Sequence, residues 1–171
     1  MIKETDYLIV GAGAMAMAFA DTILKEQPNS NITLVDQRPA PGGHWLDAYP
    51  YVRLHQPASF YGVNSEKLET HSGDLSSKQE ILAYYSRVLY RMENAGRVKF
   101  FGMMEHTGNG KIRSIVDPNK KIDFKIKKRL VDSTYMKVEV PSTTRPNFEV
   151  SKNVNLVPPN HLFSLLSLIH I

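Results

Sequence analysis

One short stretch constrains this chain more than any other. Gly11-Ala12-Gly13-Ala14-Met15-Ala16 fits the pattern G-x-G-x-x-G/A. The apolar run Tyr7–Val10 leads straight into it and reads as a strand. From Ala14 to Gln27 the chain is rich in Ala, Met and Leu, with Phe19, Ile23 and Leu24 at helical intervals. Gln27-Pro28-Asn29 ends that helix, because proline cannot continue it. A second apolar run, Ile32–Val35, stops at Asp36. Strand, glycine turn, helix, strand and then a carboxylate about 20 residues after the turn is the order that a dinucleotide-binding βαβ unit requires.

Each residue type in this unit has a physical reason. Gly11 permits the tight strand-to-helix turn, Gly13 lets a pyrophosphate approach the backbone, and Ala16 is small enough for helix and strand to pack closely. Ala12, Ala14 and Met15 complete the turn that would surround the diphosphate. The anion then lies at a helix N-terminus, where free N–H groups and the helix dipole favour it. Asp36 can accept hydrogen bonds from ribose hydroxyls and would repel a 2′-phosphate. Gln37 and Arg38 follow directly, and Arg38 does not remove that repulsion. The competing reading is a βαβ unit with a small-residue turn and no ligand. The fingerprint alone does not separate FAD from NAD.

The rest of the chain divides into three kinds of segment. Gln37–Ser76 is irregular and rich in Pro, Gly, His and Tyr, and loops of that length inside a compact chain are usually functional. Ser77-Lys78-Gln79-Glu80 has the pattern of a capping box. It opens an amphipathic helix over Lys78–Asn94, with Ile81, Leu82, Tyr85, Val88, Leu89 and Met92 on one face and Gly96 just past the end. Strands are expected at Val98–Met104, Lys111–Val116 and Ile122–Val131, with turns at Gly108-Asn109-Gly110 and Asp117–Lys120. Tyr135–Val140 reads as extended up to Pro141.

Soon after Asp36 stands Pro41-Gly42-Gly43-His44-Trp45. It resembles the GG-x-W segment of flavin-containing and Baeyer–Villiger monooxygenases, and Gly42, Gly43 and Trp45 match it position by position. The continuation Tyr49–Pro57 resembles the family segment that runs toward the isoalloxazine. The resemblance is specific from Tyr7 to about Tyr61. It implies FAD as the cofactor. Gly42 and Gly43 would then pass the diphosphate, with His44, Trp45, Leu54, His55 and Gln56 along the flavin and a backbone group of Met104 near the adenine. For Trp45 the competing reading is a core residue under a loop, and for Met104 an ordinary buried methionine. Flavin chemistry is the cofactor's own. His44 and His55 are therefore read as hydrogen-bonding or structural, and no residue is assigned as catalytic.

The fold class expected is α/β: a Rossmann-like FAD-binding βαβ domain with an added antiparallel β segment, an incomplete version of a fold with two dinucleotide sites. The resembled monooxygenases carry a second glycine fingerprint for NADPH, and this sequence has none. Residues 1–157 read as the FAD-binding domain and 158–171 as an aberrant or truncated tail, because Leu165–Ile171 carries no stop signal. The resemblance implies NADPH or NADH as hydride donor in the intact protein, and a small-molecule substrate. An FAD-dependent oxidoreductase of monooxygenase type is expected, with a non-catalytic FAD- or NAD-binding module, or an inactive fragment, as the alternative.

Composition closes off other classes. There is no cysteine, which excludes a disulfide framework, a Cys-based zinc site and thiol redox chemistry. The six histidines are scattered without metal-ligand spacing, so no metal is expected. The net charge of +4 comes partly from Lys120, Lys121, Lys125, Lys127, Lys128 and Arg129, interleaved with Ile122, Phe124 and Ile126. That alternation reads as a strand with a solvated face, against the competing reading of a nucleic-acid surface. The N-terminus lacks the parts of a signal peptide, and no apolar run approaches the roughly 18 residues of a membrane span. A soluble, cytoplasmic protein is expected.

Overall fold

Burial along the first strand alternates between two apolar partners, and this organises the whole molecule. The computed structural model describes residues 2–69, 75–134, 141–142, 144–162 and 165. In chain order the elements are β1 (Ile2–Val10), α1 (Ala14–Glu26), β2 (Ile32–Val35), β3 (Gly62–Val63), β4 (Glu66–Lys67), α2 (Lys78–Asn94), β5 (Val98–Phe101), β6 (Met104–Gly108), β7 (Lys111–Ser114) and β8 (Lys121–Asp132). Two 3-10 turns, Gly43–Leu46 and Ala58–Phe60, lie in the long connection after β2. The main sheet has the order β5-β2-β1-β8-β7-β6. Its β5, β2, β1 and β8 run parallel, while β8, β7 and β6 form an antiparallel meander. β3 and β4 make a separate small hairpin.

Successive side chains of a strand point to opposite faces. Tyr7 and Ile9 of β1, with Ile32 and Leu34 of β2, pack under Met17 and Ala20 of α1 and Ile81, Tyr84, Tyr85 and Val88 of α2. Leu8 and Val35 point the other way, into a second cluster with Met104, Ile112, Ile122 and Phe124 from the meander. The result is three layers: helices, parallel sheet and folded-over meander. A sheet covered on both faces explains the unbroken apolar runs of its central strands. α2 opens with both halves of the capping box, Ser77 and Glu80, as its sequence predicts.

The structure departs from the sequence reading in particular places. The first strand begins at Ile2, not Tyr7, because its polar leading residues run alongside β8 with Ile2 opposite Asp123. Val98–Met104 is not one strand. Gly102 and Met103 interrupt it, with Met103 in the left-handed region at φ 56°. The chain needs this break. Met103 N–H donates to Arg38 O (3.1 Å) and Met104 N–H to Asp36 O (3.0 Å), which starts β6 across the opposite face of the sheet. Thus β5 and β6 are consecutive in the chain yet lie at the two ends of the strand order. On α2, Tyr84 is fully buried and Leu82 only half-buried. The extended segment expected at Tyr135–Val140 lies outside the described residues.

β8 is longer than the strand it shares with the meander. Its register with β7 ends at Asp123, and Phe124 N–H donates to Gly110 O (2.8 Å). Beyond that point no described strand pairs with the outer edge of β8, and Lys127, Lys128, Arg129 and Leu130 are exposed. Glu4 on β1 pairs with Lys125 (3.0 Å) and Lys127 (2.8 Å). Among the described residues no helix is long and apolar enough to cross a membrane.

Candidate functional site

The carboxyl ends of β1 and β2 bring the glycine turn, the strand-end acid and the Gly-Gly loop together. Gly11 has φ +103°, and its N–H donates to Val35 O (2.7 Å). A Cβ there would lie 2.4 Å from Ser133 Oγ, so only glycine fits. Gly13 is different. It is the N-cap of α1 with φ −80°, a conformation any residue adopts, and a Cβ would stand an ordinary 3.6 Å from Gly43 Cα. Its small size is thus not required by the backbone and leaves room beside the helix end. α1 has no side-chain cap and no acidic residue in its first turn. Its leading N–H groups and positive dipole end are left for an anion.

The Gly-Gly loop packs directly on that turn. Gly42 N–H donates to Ala12 O (2.8 Å), and Gly42 and Gly43 have φ of +123° and +57°. A Cβ on Gly43 would lie 2.9 Å from Gly13 Cα, and one on Gly42 would lie 2.6 Å from Leu82 Cδ2. Two backbones therefore meet without side chains between them.

Asp36 is buried and works inside the protein. Its Oδ2 accepts from Ala12 N–H (2.6 Å) and its Oδ1 from Arg38 N–H (2.8 Å). An ionised carboxylate offers about four lone-pair sites, so acceptor capacity remains. The Arg38 guanidinium is directed to Asp47, with Nε 2.8 Å from Oδ2. That hydrogen bond raises the Arg38 pKa further, against a smaller opposing effect of burial. Its Nη1 lies 3.9 Å from Asp36. Gln37 is exposed.

Trp45 is buried within the helix-side core, and its indole N–H donates to the Tyr61 hydroxyl (2.6 Å). The exposed His44 ring stacks on it at 5.7 Å between centroids. Met104 uses its N–H on Asp36 O and its side chain in the meander core. Leu54, His55 and Gln56 lie on a stretch laid along the start of α2. There Leu54 is buried with its N–H on Ser76 O (2.8 Å), His55 is exposed and Gln56 half-buried.

Sequence reasoning missed three residues here. Ser133 follows β8 and donates its hydroxyl to Val10 O (2.7 Å), closing over Gly11. Tyr61 holds the indole. Lys78 reaches back to the Gly-Gly loop, its Nζ 3.0 Å from Leu46 O and 2.5 Å from Ala48 O. The tight turn at Gly11 signals a close neighbour without saying which residue supplies it. A cavity of about 450 Å³ lies among Pro141, Phe148, Leu156 and Pro159, and no fingerprint residue lines it.

Residues 9–60 match the family of NAD(P)-binding Rossmann-like domains. A relative in Mycobacterium tuberculosis, named only as an uncharacterized protein, is 40% identical over 170 residues, 93% of this chain and 31% of that protein. A protein of Acinetobacter baylyi named "Probable FAD-binding monooxygenase AlmA" is 30% identical over 101 residues, 58% of this chain and 20% of its own length. The chain thus spans 31% or less of the length of these curated relatives. Among solved structures, a flavin-containing monooxygenase from Stenotrophomonas maltophilia superposes with a TM-score of 0.55 at 17% identity, over 77% of this chain and 38% of that one. A bacillithiol disulfide reductase from Bacillus cereus gives 0.57 at 15% identity, over 76% and 39%. The α/β Rossmann-like fold with its antiparallel segment, expected from the sequence, is the fold that this chain shares with both solved structures.

Proposed function

We propose that this chain, which carries an NAD(P)-binding Rossmann-like domain with the fold of flavin monooxygenases, is the FAD-binding portion of a flavin-dependent NAD(P)H oxidoreductase of monooxygenase type. The carrying observation is the side-chain-free meeting of Gly13 and Gly43 beside the uncapped N-terminus of α1. Such a cradle fits a diphosphate at close range. In this reading the first-turn N–H groups of Ala14, Met15 and Ala16 hold the diphosphate, with Gly11, Ala12 and Gly43 shaping the approach. Asp36 takes the ribose hydroxyls with its remaining acceptor capacity. His44, Trp45, Leu54, His55, Gln56 and a backbone group of Met104 border the rest of the cofactor. Bound flavin supplies hydride acceptance and O₂ activation, while the protein binds and orients it.

Asp36 also favours FAD over NADP. A 2′-phosphate would meet a buried carboxylate, and the nearest guanidinium is engaged by Asp47. The reading further includes NADPH or NADH as donor in the intact protein, a small-molecule substrate, a cytoplasmic location and no nucleic-acid partner. The pairing of Lys125 and Lys127 with Glu4 supports the last point, because it makes that strand a solvated, partly neutralised face. The name of the Acinetobacter relative supports the monooxygenase class.

Titration with FAD, NAD and NADP tests the assignment, since bound flavin colours the protein yellow. FAD is expected to bind most tightly, and NADP binding as tight as FAD would overturn the reading of Asp36. A second reading is a dinucleotide-binding module without catalysis, favoured by the single glycine fingerprint. Stopped-flow absorbance tests whether this chain by itself takes hydride from a nicotinamide, which neither reading expects. Dithionite should bleach the flavin band and NADPH should do so only slowly, because positioning a hydride donor is worth roughly 7–11 kcal/mol and one fingerprint serves one dinucleotide. Rapid bleaching by NADPH would place a nicotinamide site in this chain after all.

A further inference from the structure

A lysine in the first turn of a helix is electrostatically misplaced, since the N-terminal end of the dipole is positive. Lys78 stands there, directly after the cap Ser77. Its ammonium turns away from its own helix and donates to Leu46 O (3.0 Å) and Ala48 O (2.5 Å). Leu46 O ends the 3-10 turn Gly43–Leu46, where a cation is favoured, and Ala48 O follows just past its cap Asp47. The misplaced charge on one helix is thus well placed on another.

Neighbouring bonds lay the rest of the loop on the same helix start. Lys78 N–H donates to Val52 O (3.1 Å) and Leu54 N–H to Ser76 O (2.8 Å). The Arg53 guanidinium donates to Leu75 O (2.9 Å) and the Gln79 amide to Pro50 O (3.2 Å). Of these donors, the Lys78 ammonium alone bonds the turn that carries Gly43 and Trp45. One residue earlier, Leu82 closes on Gly42. The opening turns of α2 therefore form the bed on which the Gly-Gly loop sits, and that loop abuts Gly13.

We propose that Lys78 is a positioning residue for the dinucleotide: its ammonium holds the 3-10 turn so that Gly43 and Trp45 stay in place against the glycine turn. The inference rests on the FAD reading above. A loop fixed before binding spares the ligand the cost of ordering it.

The test compares FAD dissociation constants for the wild type, Lys78→Met and Lys78→Arg. Methionine keeps the apolar stem and removes the donors, whereas arginine keeps donors and charge. Lys78→Met should weaken FAD binding about tenfold, at the low end of what hydrogen bonds to a charged group contribute. It should also speed tryptic cleavage after Arg53 in the apoprotein. Lys78→Arg should recover most of the affinity, which a loss of general stability would not predict. If the wild type binds FAD and Lys78→Met binds it equally well, the positioning role falls and the FAD reading stands. If the wild type binds no FAD, both fall. Should Lys78→Met fail to fold, Lys78→Gln takes its place. Intermediate affinity is then expected, and unchanged affinity overturns the role.

Discussion

At the scale of single residues, glycines that look equivalent in the sequence do different work. Gly43 needs its lack of a Cβ for the fold itself, at φ +57° and 2.9 Å from Gly13 Cα. Gly43→Ala should cost at least about 1–2 kcal/mol from the left-handed backbone alone, read as a lower denaturation midpoint. Gly13 has an ordinary backbone angle and room for a methyl against Gly43. Gly13→Ala should therefore leave the thermal midpoint within a few degrees, a shift of under about 1 kcal/mol, and abolish FAD binding. Retained wild-type affinity would show that the diphosphate does not approach at Gly13. Asp36 combines both kinds of role. Asp36→Asn sets an amide against the N–H of Ala12 or Arg38, so a loss of about 1–3 kcal/mol is expected. The same variant should bind NADP better than the wild type does, relative to FAD.

At the scale of elements, the Tyr84 hydroxyl ties α2 to both strands of the β3–β4 hairpin, beside the ion pairs of Arg87 and Arg91 with Glu66. Tyr84 Oη accepts from Val63 N–H (2.7 Å) and donates to Glu66 O (2.6 Å). Tyr84→Phe leaves a buried N–H unpaired and should destabilise the fold by about 1–3 kcal/mol. A denaturant midpoint equal to the wild type would mean that water or a backbone shift replaces the hydroxyl. Tyr84 also marks the limit of what the sequence discloses. The βαβ unit and α2 are legible because caps, glycines and apolar spacing are local signals. The burial of Tyr84 is decided by a hairpin that carries little sequence pattern of its own. The break at Gly102–Met103 is hidden for a similar reason. Val98–Met104 looks like one apolar run, and only the pull of the Asp36 and Arg38 carbonyls sends β6 elsewhere. In the site, Gly11, Gly13, Asp36 and the Gly-Gly pair announce themselves by type and order. Ser133 and Lys78 do not, because each acts on a segment far from it in the chain.

At the scale of the whole molecule, the helices and the meander cover the two faces of the parallel sheet, but covering faces does not cover an edge. Past Phe124 the outer side of β8 faces no described strand, and such edges invite pairing between molecules. The residues that decorate it, Lys125, Lys127 and Arg129, are the type that keeps edges apart, and Glu4 offsets only part of their charge, while the Lys128 ammonium reaches back to Gln27 and Ser30. Two copies meeting edge to edge would oppose lysine to lysine. That repulsion reaches about 8 Å at physiological ionic strength and about 3 Å in 1 M salt. Sedimentation should therefore show dispersed protein in dilute buffer and growing assemblies in concentrated sodium chloride. Changing Lys125, Lys127 and Arg129 together to glutamine should produce the same assemblies without added salt, and sedimentation indifferent to both would show that charge does not guard this edge. The colloidal behaviour of the protein in a test tube would then be governed by a handful of cations on one strand, so buffer choice becomes part of every binding measurement made on it.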